Sequence, residues 1–520
     1  MKRRLLSALT LVAFALALPA VASGDVVVGP GGGTPGTSKA FRLVGHESLF
    51  NRGMNSAPAK FGDFVYVGNR TDGSTSCGVD EEGNPIPGVC PHPHPGILVV
   101  NVADPADPAV VGEVGPPFAG NVRETTRELR VWPEKKLLIV LNFTCSTFIH
   151  VCSGPPVTPT FRFFDLSDPA NPEHVLTFVP RQRNGVVRTP HEFYLWVDPA
   201  NPDRALIWAS TPTISTNPDN SNMLIWDISA VPAGGGPALV AQGNWNQLYP
   251  GSDNPANYNF NLALHSMAPT ADGKVTHLAY LAGLYLALDT SDVADGVPAG
   301  EIVDLNNDLL TQPEDRPIWE NPNPGHSSVP VPGRPLVLTT DEVYGTFTDP
   351  SFGCPWGWSR ILDVSDASRP EILSEYKTVE NTEAFCESPG NDPATDAFTA
   401  YTAHNPTVTK HLALVTWHSD GLQAIDIARA WHPTQAGWFS PEPLASVATE
   451  DPALGRGPNK VIMWSYPIVD DGLIYVTDIR NGLYILEYTG RHRGEVQSLD
   501  FYEGNSNLGD AVRLARRGGS

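Results

Sequence analysis

Ile97-Leu-Val-Val-Asn101-Val-Ala-Asp104, Phe161-Arg-Phe-Phe-Asp165-Leu-Ser-Asp168, Met223-Leu-Ile-Trp-Asp227-Ile-Ser and Tyr285-Leu-Ala-Leu-Asp289-Thr-Ser-Asp292 are versions of one pattern. Arg360-Ile-Leu-Asp363-Val-Ser-Asp366, Leu422-Gln-Ala-Ile-Asp426-Ile and Leu483-Tyr-Ile-Leu-Glu487-Tyr continue it. Each is a short apolar run ending in an acidic residue or Asn, most followed by a polar turn. The aligned positions 101, 165, 227, 289, 363, 426 and 487 are separated by 64, 62, 62, 74, 63 and 61 residues. So constant a period marks a repeat architecture, in which each unit buries its apolar face against the next.

Working outward, a second apolar run precedes each copy: Phe64–Gly68, Leu137–Leu141, Ala205–Trp208, Leu278–Leu281, Leu336–Leu338, Leu412–Val415 and Leu473–Val476. Another follows the turn, as in Ala109–Val114 and His174–Val179. With one more strand at the head of each unit, the repeat holds four strands, and no helical period of useful length interrupts them. The pattern predicts an all-β fold, a seven-bladed β-propeller of four-stranded antiparallel blades, which removes long free edges by radial closure. Phe41-Arg-Leu-Val-Gly45 reads as a fourth strand with no preceding three, and the seventh unit stops after its third. The N-terminal strand is therefore expected to complete the last blade.

The chain has 520 residues, 41% hydrophobic and 18% charged, with Gly 47 and Pro 50, so a large turn-rich core is expected rather than disorder. Met1-Lys-Arg-Arg4 followed by the apolar run Leu5–Leu18 and Ala20-Val-Ala22 has the form of a secretory signal peptide, with a mature start near Ser23. The expected organisation is a signal peptide over 1–22, a flexible Gly-rich segment over 23–39, the propeller over 40–490 and a loose tail over 491–520. No second long apolar run suggests a membrane span, so a secreted or periplasmic location follows. The formal net charge of −23 argues against a nucleic-acid partner. Six cysteines in an exported chain imply disulfides; the count allows 15 pairings, and chain proximity favours Cys77–Cys90, Cys145–Cys152 and Cys354–Cys386.

Asp363-Val-Ser-Asp-Ala-Ser-Arg-Pro-Glu-Ile-Leu373 and Asp165-Leu-Ser-Asp-Pro-Ala-Asn-Pro-Glu-His-Val-Leu176 resemble the signature of the LVIVD-repeat family of β-propellers. The resemblance extends over roughly residues 40–490. It implies an extracytoplasmic propeller and says little about activity.

Aligning the units at their first strands places Asn55, Arg127, His191, His265, His326, His404 and Trp464 at one position. Four consecutive blades thus put a His at the mouth of the central channel, on the face carrying the long loops. Neutral imidazole suits Fe, Cu or Zn, so His191, His265, His326 and His404 are the expected ligands of one transition-metal ion. The weighed alternative is a polar, water-filled ring. His418 is a candidate fifth ligand; Glu192 and Glu342, the latter beside Asp341, are candidate acid–base groups or partners that orient an imidazole. Binding needs neutral imidazoles, so affinity is expected to fall through about pH 6.5. His277 and His411 are expected to be packing positions, and His92 and His94 to lie in an exposed Pro-rich loop. The recurring Asp is read as a turn cap and not a calcium ladder, because calcium needs six to eight oxygens on one ion.

Two functions follow. One is a metal-dependent oxidoreductase acting on a small molecule in the channel mouth, with zinc-promoted hydrolysis also compatible. The other is a non-catalytic extracellular scaffold whose long loops bind a protein or glycan.

Overall fold

The computed structural model describes residues 25–516 except 78–83, 116–122, 145–156, 247–262, 282, 313–324, 344–353, 389–398, 452–453 and 456. The expected signal peptide and the Cys145–Cys152 pair lie outside the described residues. Among the described residues the protein is mostly β, its strands arranged in six sheets, and the largest of these is two four-stranded units joined where Asn69 pairs with Thr126.

The antiparallel units follow the chain. The first comprises Asn55–Phe61, Phe64–Asn69, Ile97–Asn101 and Ala109–Val114; the second Glu124–Trp132, Leu137–Thr144, Thr160–Asp165 and Glu173–Phe178. The third comprises Phe193–Val197, Ala205–Ser210, Met223–Asp227 and Ala238–Gly243, and the fourth Leu264–Pro269, Val275–Tyr280 and Leu284–Asp289. The fifth comprises Gly325–Pro330, Leu336–Asp341, Ser359–Asp363 and Glu371–Thr378; the sixth Pro406–Val408, Leu412–Thr416, Leu422–Asp426 and Thr434–Ser440. In the last, Ile468–Asp470, Leu473–Asp478 and Gly482–Tyr488 are joined by Phe41–Glu47, which pairs antiparallel from Phe41 opposite Tyr488 to Glu47 opposite Leu483.

The first strands of the units lie side by side, from Asn55–Phe61 through Glu124–Trp132, Phe193–Val197, Leu264–Pro269 and Gly325–Pro330 to Pro406–Val408. Thr407 Oγ1 then donates to the Pro467 carbonyl at 2.6 Å, and Leu473–Asp478 packs against Asn55–Phe61. The series returns to its start.

Why the strands read as unbroken apolar runs is clear in Leu137–Thr144. Its side chains alternate in direction: Leu137, Ile139, Leu141 and Phe143 pack toward the third unit, Leu138 and Val140 toward the first. Both faces are buried, so no polar alternation is needed. The recurring acidic or Asn position caps the turn as expected. Asp165, Asp227, Asp289 and Asp363 each accept through Oδ1 from the backbone N–H of a Ser two residues on, at 2.6–2.9 Å. Asn101 and Asp426 do the same to Ala103 and Ala428. The bonded pairs Cys77–Cys90 and Cys354–Cys386 are present. No helix among the described residues is long and apolar enough to cross a membrane.

The chain ends differ from the expected loose segments. Asp25–Gly29 pairs parallel with Glu371–Thr378, and Thr37–Lys39 pairs with Thr434–Ser440. The glycines between serve close approach: a Cβ on Gly32 would come within 2.9 Å of the Asp420 carbonyl and 2.8 Å of Trp438, and the Gly32 N–H donates to Asp420 Oδ1. At the other end, Phe501–Tyr502 pairs with the first strand of the last unit, and Val496, Leu499, Tyr502 and Leu508 are buried. Asn505 accepts from the Leu195 N–H and from Arg130, Asn507 bonds both backbone groups of Val197 and the Ala271 carbonyl, and Tyr502 donates to the Val408 carbonyl. Residues 502–507 thus cross the far ends of the first strands.

Candidate metal centre

The repeated position at the start of each first strand is a backbone irregularity. In the fourth unit Leu264 pairs with Tyr280 and Ser266 with Ala279, which leaves His265 as the extra residue. In the fifth, Gly325 pairs with Asp341 and Ser327 with Thr340, leaving His326. Arg127 is left over in the same way between Thr126 and Glu128. His191 and Glu192 both face Ser210, His404 and Asn405 both face Thr416, and Trp464 and Ser465 both face Thr477. A bulge of this kind re-aims the extra side chain, here out of the sheet and toward the neighbouring units.

The result is an arc of imidazoles. His191 Nε2 and His265 Nε2 are 2.9 Å apart, and the ring centroids of His265–His326, His326–His404 and His404–His418 are 4.0, 4.1 and 4.9 Å apart. Trp464 stands 5.1 Å from His404 and Phe143 6.4 Å from His191, with the Arg127 guanidinium over both aromatic rings. Glu342 sits against the arc: its Oε1 is 2.9 Å from His418 Nε2 and 3.2 Å from His404 Nε2, its Oε2 3.6 Å from His326 Nε2. Asp341, its neighbour, turns away to pair with Arg360.

The four expected ligands are adjacent along the arc, but they do not form a single compact set. Instead two triads share His326: Glu192 with His265 and His326, and His326 with Glu342 and His404, each with its ligand atoms within 4.8 Å of one another. His418, whose backbone φ is +35°, joins through Glu342, and its Nδ1 is buried with no hydrogen-bond partner among the described residues.

Burial sets the charge states. It pushes the His191, His326 and His404 imidazoles well below their ordinary pKa, with neighbouring imidazoles adding at all three, and lowers His265 to about 4. The neutral forms therefore persist well below the pH of 6.5 at which competition by protons is expected from the sequence. Burial also pushes the Glu192 carboxyl well up, with Glu128 adding to it. Burial pushes Glu342 the same way, but protons taken up by the neighbouring imidazoles and the hydrogen bond with His418 act against it and hold that carboxyl well below the usual range.

The donor set fits a metal ion. His265 Nδ1 faces the His326 carbonyl at 3.1 Å and His404 Nδ1 the Trp464 carbonyl at 2.6 Å. A carbonyl only accepts, so each Nδ1 carries the proton and each Nε2 presents a lone pair. With both groups unprotonated, that lone pair on His404 faces Glu342 Oε1 at 3.2 Å. Two acceptors face each other, and a cation relieves the repulsion.

Beneath the arc lies a polar layer: Glu128 paired with Arg130 at 3.1 Å, and Ser327 Oγ within 3.2 Å of the Tyr466 hydroxyl. Below that, residues 502–507 cover the far end. Sequence reasoning missed this covering because the segment lies outside the repeat. The role of Arg127 was visible only as the one cationic residue at the aligned position. Two other histidine readings need correction. His92 is buried, its Nδ1 3.1 Å from Asp72 Oδ1 and its Nε2 2.9 Å from the Ser76 carbonyl, so it secures the Cys77–Cys90 loop. His411 is half-exposed and faces Glu495 on the C-terminal segment, because that segment folds back onto it. His277 does pack, with its Nδ1 2.6 Å from the Tyr285 hydroxyl.

No family model and no curated protein matches the chain. Among solved structures it is similar to Sqt1 of Chaetomium thermophilum, with a TM-score of 0.42 and 11% identity over 85% of this chain and 86% of that one. It is also similar to the periplasmic gluconolactonase PpgL of Pseudomonas aeruginosa, with a TM-score of 0.41 and 11% identity over 76% and 86%. Likenesses this distant say nothing about activity.

Proposed function

We propose that the chain is an exported, seven-bladed β-propeller of the LVIVD kind, with a transition-metal centre in the mouth of a channel closed at its other end. Its proposed activity is metal-dependent oxidation or reduction of a small molecule. Seven blades are supported by seven successive antiparallel units whose first strands pack in a series that returns to its start. Export is supported by the two disulfides and by the form of residues 1–22.

The observation that carries the metal reading is the His404 Nε2 lone pair held against the Glu342 carboxylate. His191, His265, His326, His404 and Glu342 would hold the ion, and His418 would orient Glu342. Bound there, copper or iron supplies one-electron chemistry. The same residues disfavour hydrolysis, which needs a free general base. Glu342 is engaged by imidazoles, and burial pushes the Glu192 carboxyl up, toward its proton-bound form. Arg127 sets a guanidinium across the mouth from the arc, suited to steering an anionic group of the small molecule.

Metal analysis after separate loading with copper, iron and zinc tests this. The expected result is retention of a redox-active ion, with at least tenfold loss of occupancy in His326→Ala at unchanged circular dichroism. Retention of zinc alone removes the oxidoreductase reading. No retention of any ion leaves the non-catalytic scaffold.

A further inference from the structure

The strap that closes the channel is fastened to the body by a second, separate group of ligating side chains. His411 Nδ1 lies 2.6 Å from Glu495 Oε1, and His492 Nε2 lies 3.1 Å from Asp426 Oδ1. The two imidazoles face each other with centroids 5.5 Å apart and a tilt of 30°. One ligand atom from each of His411, His492 and Glu495 falls within 4.8 Å of the others. His411 precedes the second strand of the sixth unit, Asp426 ends its third, and His492 and Glu495 belong to the C-terminal segment. Three separate stretches of chain therefore converge on one point.

We infer that His411, His492 and Glu495, with Asp426 beside them, form a structural site for a divalent transition-metal ion of the zinc class. Two imidazole nitrogens with carboxylate oxygens are a donor set such ions accept. The carboxylates are already held in place: Thr409 Oγ1 and the His411 backbone N–H donate to Glu495 Oε2, and Arg491 pairs with Asp426 Oδ2 at 2.7 Å. Ligation of His411 through Nδ1 requires only that its ring proton sit on Nε2. The His411 and His492 side chains are 36% and 23% exposed, so the ion has access from solvent, in contrast to the buried channel arc. An ion here pins residues 491–495 to the sixth unit, and through them the strap at 502–507.

Cobalt(II) serves as the probe, since it reports coordination by its visible absorption. In the full-length protein carrying His326→Ala and His404→Ala, which disable the channel arc, one Co²⁺ per chain is expected to bind in competition with Zn²⁺. Adding His492→Ala should weaken that binding at least tenfold, while His432→Ala, a nearby surface histidine outside the group, should leave it unchanged. Should the channel variant fail to fold, the wild-type chain and its His492→Ala variant are compared by stoichiometry, and the variant should bind one ion fewer. Zinc should also slow proteolytic cleavage within 489–516 in wild-type protein and not in His492→Ala. Cobalt binding indifferent to His492→Ala, or no binding outside the channel, overturns the inference and leaves two ordinary hydrogen-bonded pairs.

Discussion

His265 shows how one residue is turned from a strand position into a functional one. The bulge between Leu264 and Ser266 removes it from the ladder, the His326 carbonyl fixes its tautomer, and burial keeps it neutral. Neutrality has a consequence for stability. An unfolded chain takes up a proton at each histidine near pH 6.5, whereas folded His265 and His277 do so near 4. Between those values the unfolded state binds more protons, so stability present above about pH 6.5 is lost as pH falls toward 4, at up to about 1.4 kcal/mol per pH unit for each group. Urea unfolding of metal-free protein between pH 7 and 4.5 checks this, and His277→Gln should flatten the slope by about one group. An unchanged slope would show that His277 is not buried neutral. The four aligned histidines were legible because a bulge recurs with the repeat. The carboxylates were less so: Asp341 and Glu342 are adjacent in sequence, and only the turn of the chain decides that Glu342 meets the arc while Asp341 meets Arg360.

Strands were legible for a physical reason seen in Leu137–Thr144: both faces are buried against neighbouring units, so the run stays apolar whatever its alternation. The orphan strand Phe41–Glu47 was legible because its partner Gly482–Tyr488 lacked a neighbour. It carries buried Phe41 against Tyr488, with ring centroids 5.0 Å apart, and the stacked pair His46–Tyr484 at 4.3 Å. Asp25–Gly29 and Thr37–Lys39 were hidden by their glycine-rich setting, which reads as flexibility when only composition is visible. Deleting residues 23–46 therefore removes three edge strands and exposes an edge of three sheets. Loss of Phe41 alone should cost about 3–5 kcal/mol. Thermal unfolding is expected to show a collapse in Tm or insoluble protein; a deletion variant that melts like the parent would contradict the closing role of these strands.

At the scale of the whole molecule, the units set a polar, histidine-rich mouth at one end and a strap of the chain's own C-terminal residues at the other. The strap escaped sequence reading because nothing in the repeat constrains residues 491–520, and its buried Val496, Leu499, Tyr502 and Leu508 follow no strand period. At the histidine-rich end, buried lone pairs and the Glu342 carboxylate are gathered along the imidazole arc. The central claim is that this arc holds a transition metal. Anomalous diffraction from crystals loaded with copper or iron tests it most directly. The account predicts a peak at the absorption edge of that element, about 2.0–2.2 Å from imidazole nitrogens of the His191–His265–His326–His404 arc. A loaded crystal with no anomalous peak in the arc, and those imidazoles bonded only to water and to one another, would contradict it.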